Sequence, residues 1–243
     1  CHSDLHFVEG KYSIPMPAVL GHEAAGTIEA VGDQVAYVKP GDRVITCLSV
    51  FCGHCDRCLS GRPALCRRPD VDRSSSEPPR LHQGHDRITQ MAQLGSFAEQ
   101  MLVHENGVVA VDPDVPFDVA ALIGCAVMTG VGSATNGARI RPGETVAVIG
   151  CGGIGLNIVQ GCRLAGAGRI IAVDLEVTKL EAAKGFGATD IIDASTCDPV
   201  EAVLDLTGGV DVAFEAIGLT ATAEQALAMI RPGRTAYLVG VPP

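Results

Sequence analysis

The sequence contains no tryptophan, and aromatic residues make up only 4% of its 243 positions. That is too few for an aromatic-rich binding surface. Positive charge is also scarce: 18 Lys and Arg stand against 28 Asp and Glu, a net charge of −10. Sequence-independent binding of nucleic acid depends on neutralising phosphates with Lys and Arg, so nucleic acid is not expected as a partner. No run approaches the roughly 18 apolar residues of a membrane span, and no secretory leader is visible at the start. A membrane partner is not expected either. The chain opens on Cys1 rather than Met, and a segment before it is expected to be missing.

What is present points to a folded chain with room for a ligand. Hydrophobic residues reach 47%, enough for a substantial core, and 29 glycines suit tight turns and close backbone approach to a cofactor. The ten cysteines do not read as a disulfide framework, which belongs to small secreted domains. Four of them cluster, which indicates metal and a reducing, cytoplasmic compartment.

The texture of the chain changes near residue 128. Residues 1–127 read as a β-rich domain, with short apolar runs at Ala24–Val31, Arg43–Thr46 and Val108–Val111 separated by turn residues such as Lys39-Pro40-Gly41-Asp42. Residues 67–93 are polar and irregular and read as a surface loop. Residues 128–243 alternate: strands at Thr145–Gly150, Arg169–Asp174, Asp190–Asp193, Val210–Ala216 and Thr235–Val241, with helices at Ile154–Ala165, Thr178–Phe186, Pro199–Leu206 and Ala221–Ile230 between them. Such alternation predicts a doubly wound parallel sheet. That fold usually has six strands, so the second domain is expected to be incomplete as well.

Two local motifs carry chemistry. Cys52-Gly-His-Cys55-Asp-Arg-Cys58, followed by Cys66, spaces four thiolates closely enough to close a tetrahedral shell around Zn²⁺, which would be structural because no coordination position stays open. An iron–sulfur cluster and inert buried cysteines remain alternatives, and His54 reads as a bystander. Gly150-Cys151-Gly152-Gly153-Ile154-Gly155 follows a strand and opens a helix, the context that a dinucleotide-binding loop requires. Asp174 ends the next strand. An acid there accepts hydrogen bonds from ribose hydroxyls and repels a 2′-phosphate, and Leu175-Glu176-Val177 supplies no Arg. The cofactor expected is NAD.

Three further segments are weak singly: Cys1-His2-Ser3-Asp4-Leu5-His6, Gly21-His22-Glu23 with Gly26 after it, and Gly124-Cys125-Ala126-Val127-Met128-Thr129-Gly130. Taken in order with the cysteine lobe and the glycine loop, they make the chain resemble the zinc-containing medium-chain alcohol dehydrogenases through nearly its whole length. The resemblance leans toward the branch of class III (glutathione-dependent formaldehyde) and related bacterial enzymes, and Val239–Pro243 resembles the end of the family's fifth strand. It implies a GroES-like catalytic domain joined to a Rossmann domain. It implies that Cys1, His22 and Cys125 hold a catalytic zinc, a ligand set known for this family, beside Glu23 and a supporting acid, Asp4. Ser3 is implied to touch the substrate oxygen and His6 to be the outer base of a proton relay. His2 would contact the cofactor pyrophosphate. Lys179 matches a position near the adenosine ribose, although a surface lysine is an equally good account.

The expected activity is hydride transfer between an alcohol or S-hydroxymethyl thiol adduct and NAD, with two zinc ions, a small alcohol or aldehyde substrate and a homo-oligomeric parent. The 243 residues alone are expected to be metal-poor or inactive, because Cys1 lacks the strand that should hold it. A polyol or amino-acid-alcohol dehydrogenase of the same superfamily and a zinc-stabilised NAD-binding or interaction protein without turnover are the competing readings. Cys47, Cys151, Cys162 and Cys197 need no role beyond packing.

Overall fold

The computed structural model describes residues 2–67, 71–72 and 76–241. The chain divides into two compact units, residues 1–125 and 126–243.

The first unit is built from short strands. It opens with helix α1 (His2–Val8), followed by β1 (Ala18–Val19), β2 (Ala25–Thr27) and β3 (Arg43–Thr46). Helix α2 (Asp56–Leu59) and a 3₁₀ turn at Pro63–Leu65 frame the cysteine lobe. Strands β4 (Leu81–Gln83), β5 (Asp86–Gln90) and β6 (Val108–Ala110) follow. β3 is the centre of an antiparallel sheet, with Gly26 and Ala110 both opposite Val44. The Lys39–Asp42 turn feeds it: Gly41 takes φ +92°, and the Lys39 N–H donates to Asp42 Oδ2 at 2.9 Å. Val38, Val44 and Val108 form a small core beneath.

The hairpin β4–β5 lies where the sequence reads as irregular loop. Leu81 pairs with Ile88 across it, and Gly84 turns the chain at φ +61°. Its strands, His-Gln and Asp-Arg-Ile-Thr-Gln in the main, carry too few apolar residues for a period-2 pattern to show.

A second departure is helical. α3 (Phe117–Leu122) runs into a π-helical stretch at Ile123–Val127, then α4 (Met128–Gly132), then a second π-helical stretch at Ser133–Ala138. The run ends at Arg139, in the left-handed region at φ 54°. The span Phe117–Ala138 has mean hydropathy 1.6 and is long and apolar enough to cross a bilayer by those measures, although its Gly and Thr residues break it as an apolar run. Core helices of water-soluble folds pass the same test, so this is weak evidence for a membrane span.

The second unit is a parallel five-stranded sheet in the order β11-β10-β7-β8-β9. Its elements are β7 (Thr145–Ile149), α5 (Gly153–Leu164), β8 (Arg169–Asp174), α6 (Val177–Phe186), β9 (Asp190–Asp193), α7 (Pro199–Thr207), β10 (Val210–Glu215), α8 (Thr220–Met229) and β11 (Ile230–Leu238). Alternate residues of β7 serve opposite faces. Val146 and Val148 pack with Ile158 and Phe214, while Ala147 and Ile149 pack with Val173, Ala213 and Met229. Both faces are covered, which is why these strands read as continuous apolar runs.

Local chemistry sets the helix ends. The Asp198 carboxylate accepts the N–H groups of Val200 and Glu201 at 2.8 and 3.1 Å, Pro199 occupies the first turn, and Gly208 leaves the helix at φ 69°. Strand order reverses between β7 and β10, so the carboxyl ends of these strands form the crevice in which doubly wound sheets bind ligands.

Candidate functional site

The cysteine lobe gathers Cys52, Cys55, Cys58 and Cys66 so that all four sulfurs lie within 4.8 Å of one another. Three separations are 3.5 Å (Cys55–Cys58), 3.8 Å (Cys55–Cys66) and 4.0 Å (Cys52–Cys58). A disulfide would need about 2.05 Å. A tetrahedron with Zn–S bonds of about 2.3 Å has edges of about 3.8 Å, so the sulfurs fit one tetrahedral ion. Backbone amides support them: the Cys52 N–H points to Cys66 Sγ at 3.3 Å and the Cys55 N–H to Cys52 Sγ at 3.4 Å. The thiols are electrostatically uneven. The Arg67 and Cys58 backbone N–H groups bring Cys55 down to about 6. Burial, followed by the neighbouring thiols, pushes Cys58 up to about 12. Four sulfurs this close cannot all carry charge without a cation. His54 Nδ1 contacts the Cys52 carbonyl at 3.0 Å.

The second constellation lies in the same unit. Cys1 is outside the described residues. His22 is 4% exposed and Asp4 7%, and His22 Nδ1 lies 3.2 Å from Asp4 Oδ2. The contact is close, but it is off the hydrogen-bond direction. The other Asp4 oxygen accepts the Gly21 N–H at 2.7 Å. A carboxylate beside a buried imidazole is a common neighbour of metal-ligating histidines. Cys125 sits half-buried in the first π-helical stretch, and such irregular turns are frequent at functional sites. Ser3 and Glu23 are half-buried.

Helix α1 places His2 and His6 on one face, four residues apart. His6 is buried, stacked edge-on between His2 at 5.0 Å and Tyr12 at 4.9 Å, and its Nδ1 has no hydrogen-bond partner among the described residues. Phe7 packs on Tyr12 at 5.6 Å, and Leu5 is 44% exposed.

The glycine loop is stereochemically committed. Gly150 takes φ +92°, and a Cβ on Gly155 would overlap the Gly150 carbonyl oxygen. Gly152 precedes α5 in extended conformation and, as a glycine, provides no side-chain cap, which leaves the helix start open to a phosphate. Asp174 closes β8. Its Oδ2 accepts the Cys151 N–H at 2.7 Å and its Oδ1 the Glu176 N–H at 3.0 Å. The carboxylate is thereby held against the loop. Lys179 is engaged by Glu176 at 2.8 Å, which raises its pKa. The Cys151 and Cys162 thiols are pushed by burial up to about 12, consistent with packing.

Two residues escaped the sequence reading. Glu215, 1% exposed at the end of β10, accepts from Ile217 N at 2.8 Å, Gly218 N at 2.7 Å and Thr222 Oγ1 at 2.8 Å. It thus fixes the turn whose Ile217 packs over Gly150. An acid at a strand end in the switch-point crevice was the available signal. The other is Thr46, buried at the end of β3, whose partners are all distant in sequence.

Family comparison agrees with this architecture. Residues 1–113 match the alcohol dehydrogenase GroES-like domain, and residues 153–243 match the zinc-binding dehydrogenase domain. Among solved structures, the chain is similar to an alcohol dehydrogenase zinc-binding domain protein from Burkholderia ambifaria (34% identity, TM-score 0.90) and to benzyl alcohol dehydrogenase from Acinetobacter calcoaceticus (34%, 0.88). It is also similar to a zinc-binding dehydrogenase from Sinorhizobium meliloti solved with NADP (31%, 0.80). Each match covers 100% of this chain and 67% of the other. With a GroES-like unit, a Rossmann unit and a four-cysteine lobe at metal-binding distances, the chain belongs to the zinc-containing medium-chain alcohol dehydrogenase family.

Proposed function

We propose that the parent protein is an NAD-linked alcohol dehydrogenase in which residues 1–127 form the catalytic domain and residues 128–243 bind the cofactor. The observation that carries the reading is the buried Asp4–His22 pair. A histidine whose Nδ1 faces a carboxylate leaves Nε2 for a metal, as at metal sites where an acid backs the ligand. Cys1, His22 and Cys125 would hold a catalytic zinc, with Glu23 beside it. Cys52, Cys55, Cys58 and Cys66 would hold a structural one. The catalytic ion would supply Lewis-acid activation of an alcohol or aldehyde oxygen.

The chain's own groups supply the rest. Ser3 would accept the substrate hydroxyl proton at Oγ as its own hydroxyl proton passes on toward His6, which would hold or release a proton at Nδ1, the nitrogen that has no hydrogen-bond partner among the described residues. His2, on the same helical face as His6, is the pyrophosphate contact. Gly150, Gly152, Gly153 and Gly155 make room for the pyrophosphate, and the α5 N-terminus attracts it. Asp174 favours ribose hydroxyls over a 2′-phosphate, with Lys179 next to it. The NADP-bound relative keeps NADP as the second cofactor reading. A four-cysteine metal lobe suits a reducing, cytoplasmic setting.

The deciding experiment assays the full-length protein, with its metal content measured, against primary, secondary and aromatic alcohols and S-hydroxymethyl thiol adducts, with NAD and NADP. Two zinc ions per chain and NAD-dependent turnover are expected. Protein carrying both ions but inert with every alcohol would overturn the reading and favour a non-catalytic NAD-binding protein.

A further inference from the structure

Both described residues assigned to the catalytic metal follow a glycine that their packing demands. Gly21, before His22, takes φ +91°, and a Cβ there would lie 2.8 Å from the Phe97 backbone nitrogen. Gly124, before Cys125, would drive a Cβ into the carbonyl oxygen of Thr46. Thr46 touches both chains. Its hydroxyl accepts the Ala24 N–H at 3.1 Å and shares its one proton between the carbonyls of Ala24 at 3.3 Å and His22 at 3.4 Å. Its own N–H donates to the Ala24 carbonyl at 2.9 Å. Thr46 is 5% exposed and ends the central strand of its sheet.

We propose that Thr46 is a positioning residue for the catalytic metal: through its hydroxyl it registers the backbone that carries His22, and through its carbonyl it sets how closely the Gly124–Cys125 backbone approaches. The inference rests on the reading of His22 and Cys125 as ligands. Its physical basis is tolerance. Metal–ligand distances are held to about ±0.2 Å, whereas one methyl group on Gly124 must displace a strand carbonyl by more than that. The third ligand position, Cys1, adjoins α1, and Asp4 of α1 holds Gly21. The helix, the Gly-His-Glu segment and the Gly-Cys segment are therefore tied to one another through Asp4 and Thr46.

The test uses the full-length protein with Zn²⁺ or Co²⁺ as the probe. Thr46→Val keeps the branched shape and removes the hydroxyl; Thr46→Ser keeps the hydroxyl; Gly124→Ala pushes on the carbonyl; Cys125→Ser marks the site. Wild type is expected to bind two ions and Cys125→Ser one. Thr46→Val and Gly124→Ala are expected to bind the second ion about 10–100-fold more weakly and to alter the visible spectrum of the Co²⁺ site that contains imidazole. The four-sulfur Co²⁺ signal should stay as in wild type and the protein should still unfold cooperatively in urea, and Thr46→Ser should restore affinity. Equal second-ion affinity in Thr46→Val, Gly124→Ala and wild type would overturn the inference while leaving the ligand assignment intact. So would a parallel loss of both ions together with the fold, which would mark Thr46 as merely structural. If wild type and Cys125→Ser bind the same number of ions, the ligand assignment itself fails.

Discussion

The Asp4 carboxylate divides its two oxygens between the ring of His22 at 3.2 Å and the backbone N–H that precedes that ring by one residue, at 2.7 Å. One acid therefore borders the imidazole and bonds the chain that presents it. Asp4→Asn preserves the shape but removes the charge that raises ligand basicity. Zinc affinity at the His22 site should fall about 10–100-fold, measured by competition with a chelator of known affinity. Unchanged affinity would show that Asp4 does not support the ligand.

Metal binding to the cysteine lobe should strengthen with pH. Cys58, raised to about 12, keeps its proton throughout the physiological range and must release it to bind. Cys55, lowered to about 6, is already a thiolate above that pH and adds a further released proton only below it. Each displaced proton makes affinity change about tenfold per pH unit. The slope should therefore steepen as pH drops through about 6. A pH-independent Zn²⁺ competition curve would contradict this.

Stripping metal from the lobe should open it locally, because few apolar side chains hold it: Leu59 and Leu65 are 75% and 58% exposed. Limited proteolysis with and without a strong chelator is expected to give new cleavage within 52–66 while the parallel sheet stays resistant. An identical digestion pattern would show that the ion does not maintain the lobe.

Cofactor choice should turn on Asp174. Asp174→Ala removes an acceptor of charge-assisted hydrogen bonds, worth about 1.5–3 kcal/mol, and with it the repulsion of a 2′-phosphate. The ratio of kcat/KM for NAD to that for NADP should drop at least about tenfold. A ratio equal to wild type would remove Asp174 from the specificity argument.

Phe214 is wholly buried between β10 and the helices above it, stacked on Tyr237 at 5.5 Å. Phe214→Ala should destabilise the second unit by about 3–5 kcal/mol, read from urea unfolding. A loss under about 1 kcal/mol would mean that the surrounding side chains close the space.

The parallel sheet was legible because its signals are local. β8 and β9 occupy the residues expected of them, and Asp198, Pro199 and Gly208 mark the ends of α7. β11 begins five residues earlier than its apolar run, since Arg231, Pro232 and Gly233 mask it. The helical run from Phe117 was not legible. Gly124, Gly130 and Gly132 weaken helix propensity, and Gly124 and Gly130 are there for contact: a Cβ on Gly130 would strike Asn157 of α5. At the sites, spacing alone revealed the cysteine lobe. Thr46 carried no such mark, because its partners are brought close only by folding; the partners of Glu215 lie within seven residues, but nothing in their spacing sets a strand-end acid apart from a surface one.

The lobe's sulfurs all come from residues 52–66, whereas His22 and Cys125 are separated by most of the first unit. Closing a short loop is fast and entropically cheap, and closing a long one waits on the chain between. During synthesis or refolding the two zincs would thus be acquired in sequence, the structural ion early and the catalytic ion only after the sheet around β3 has assembled. Stopped-flow uptake of Co²⁺ should resolve a rapid four-sulfur phase ahead of a slower one, and simultaneous phases would refute that order.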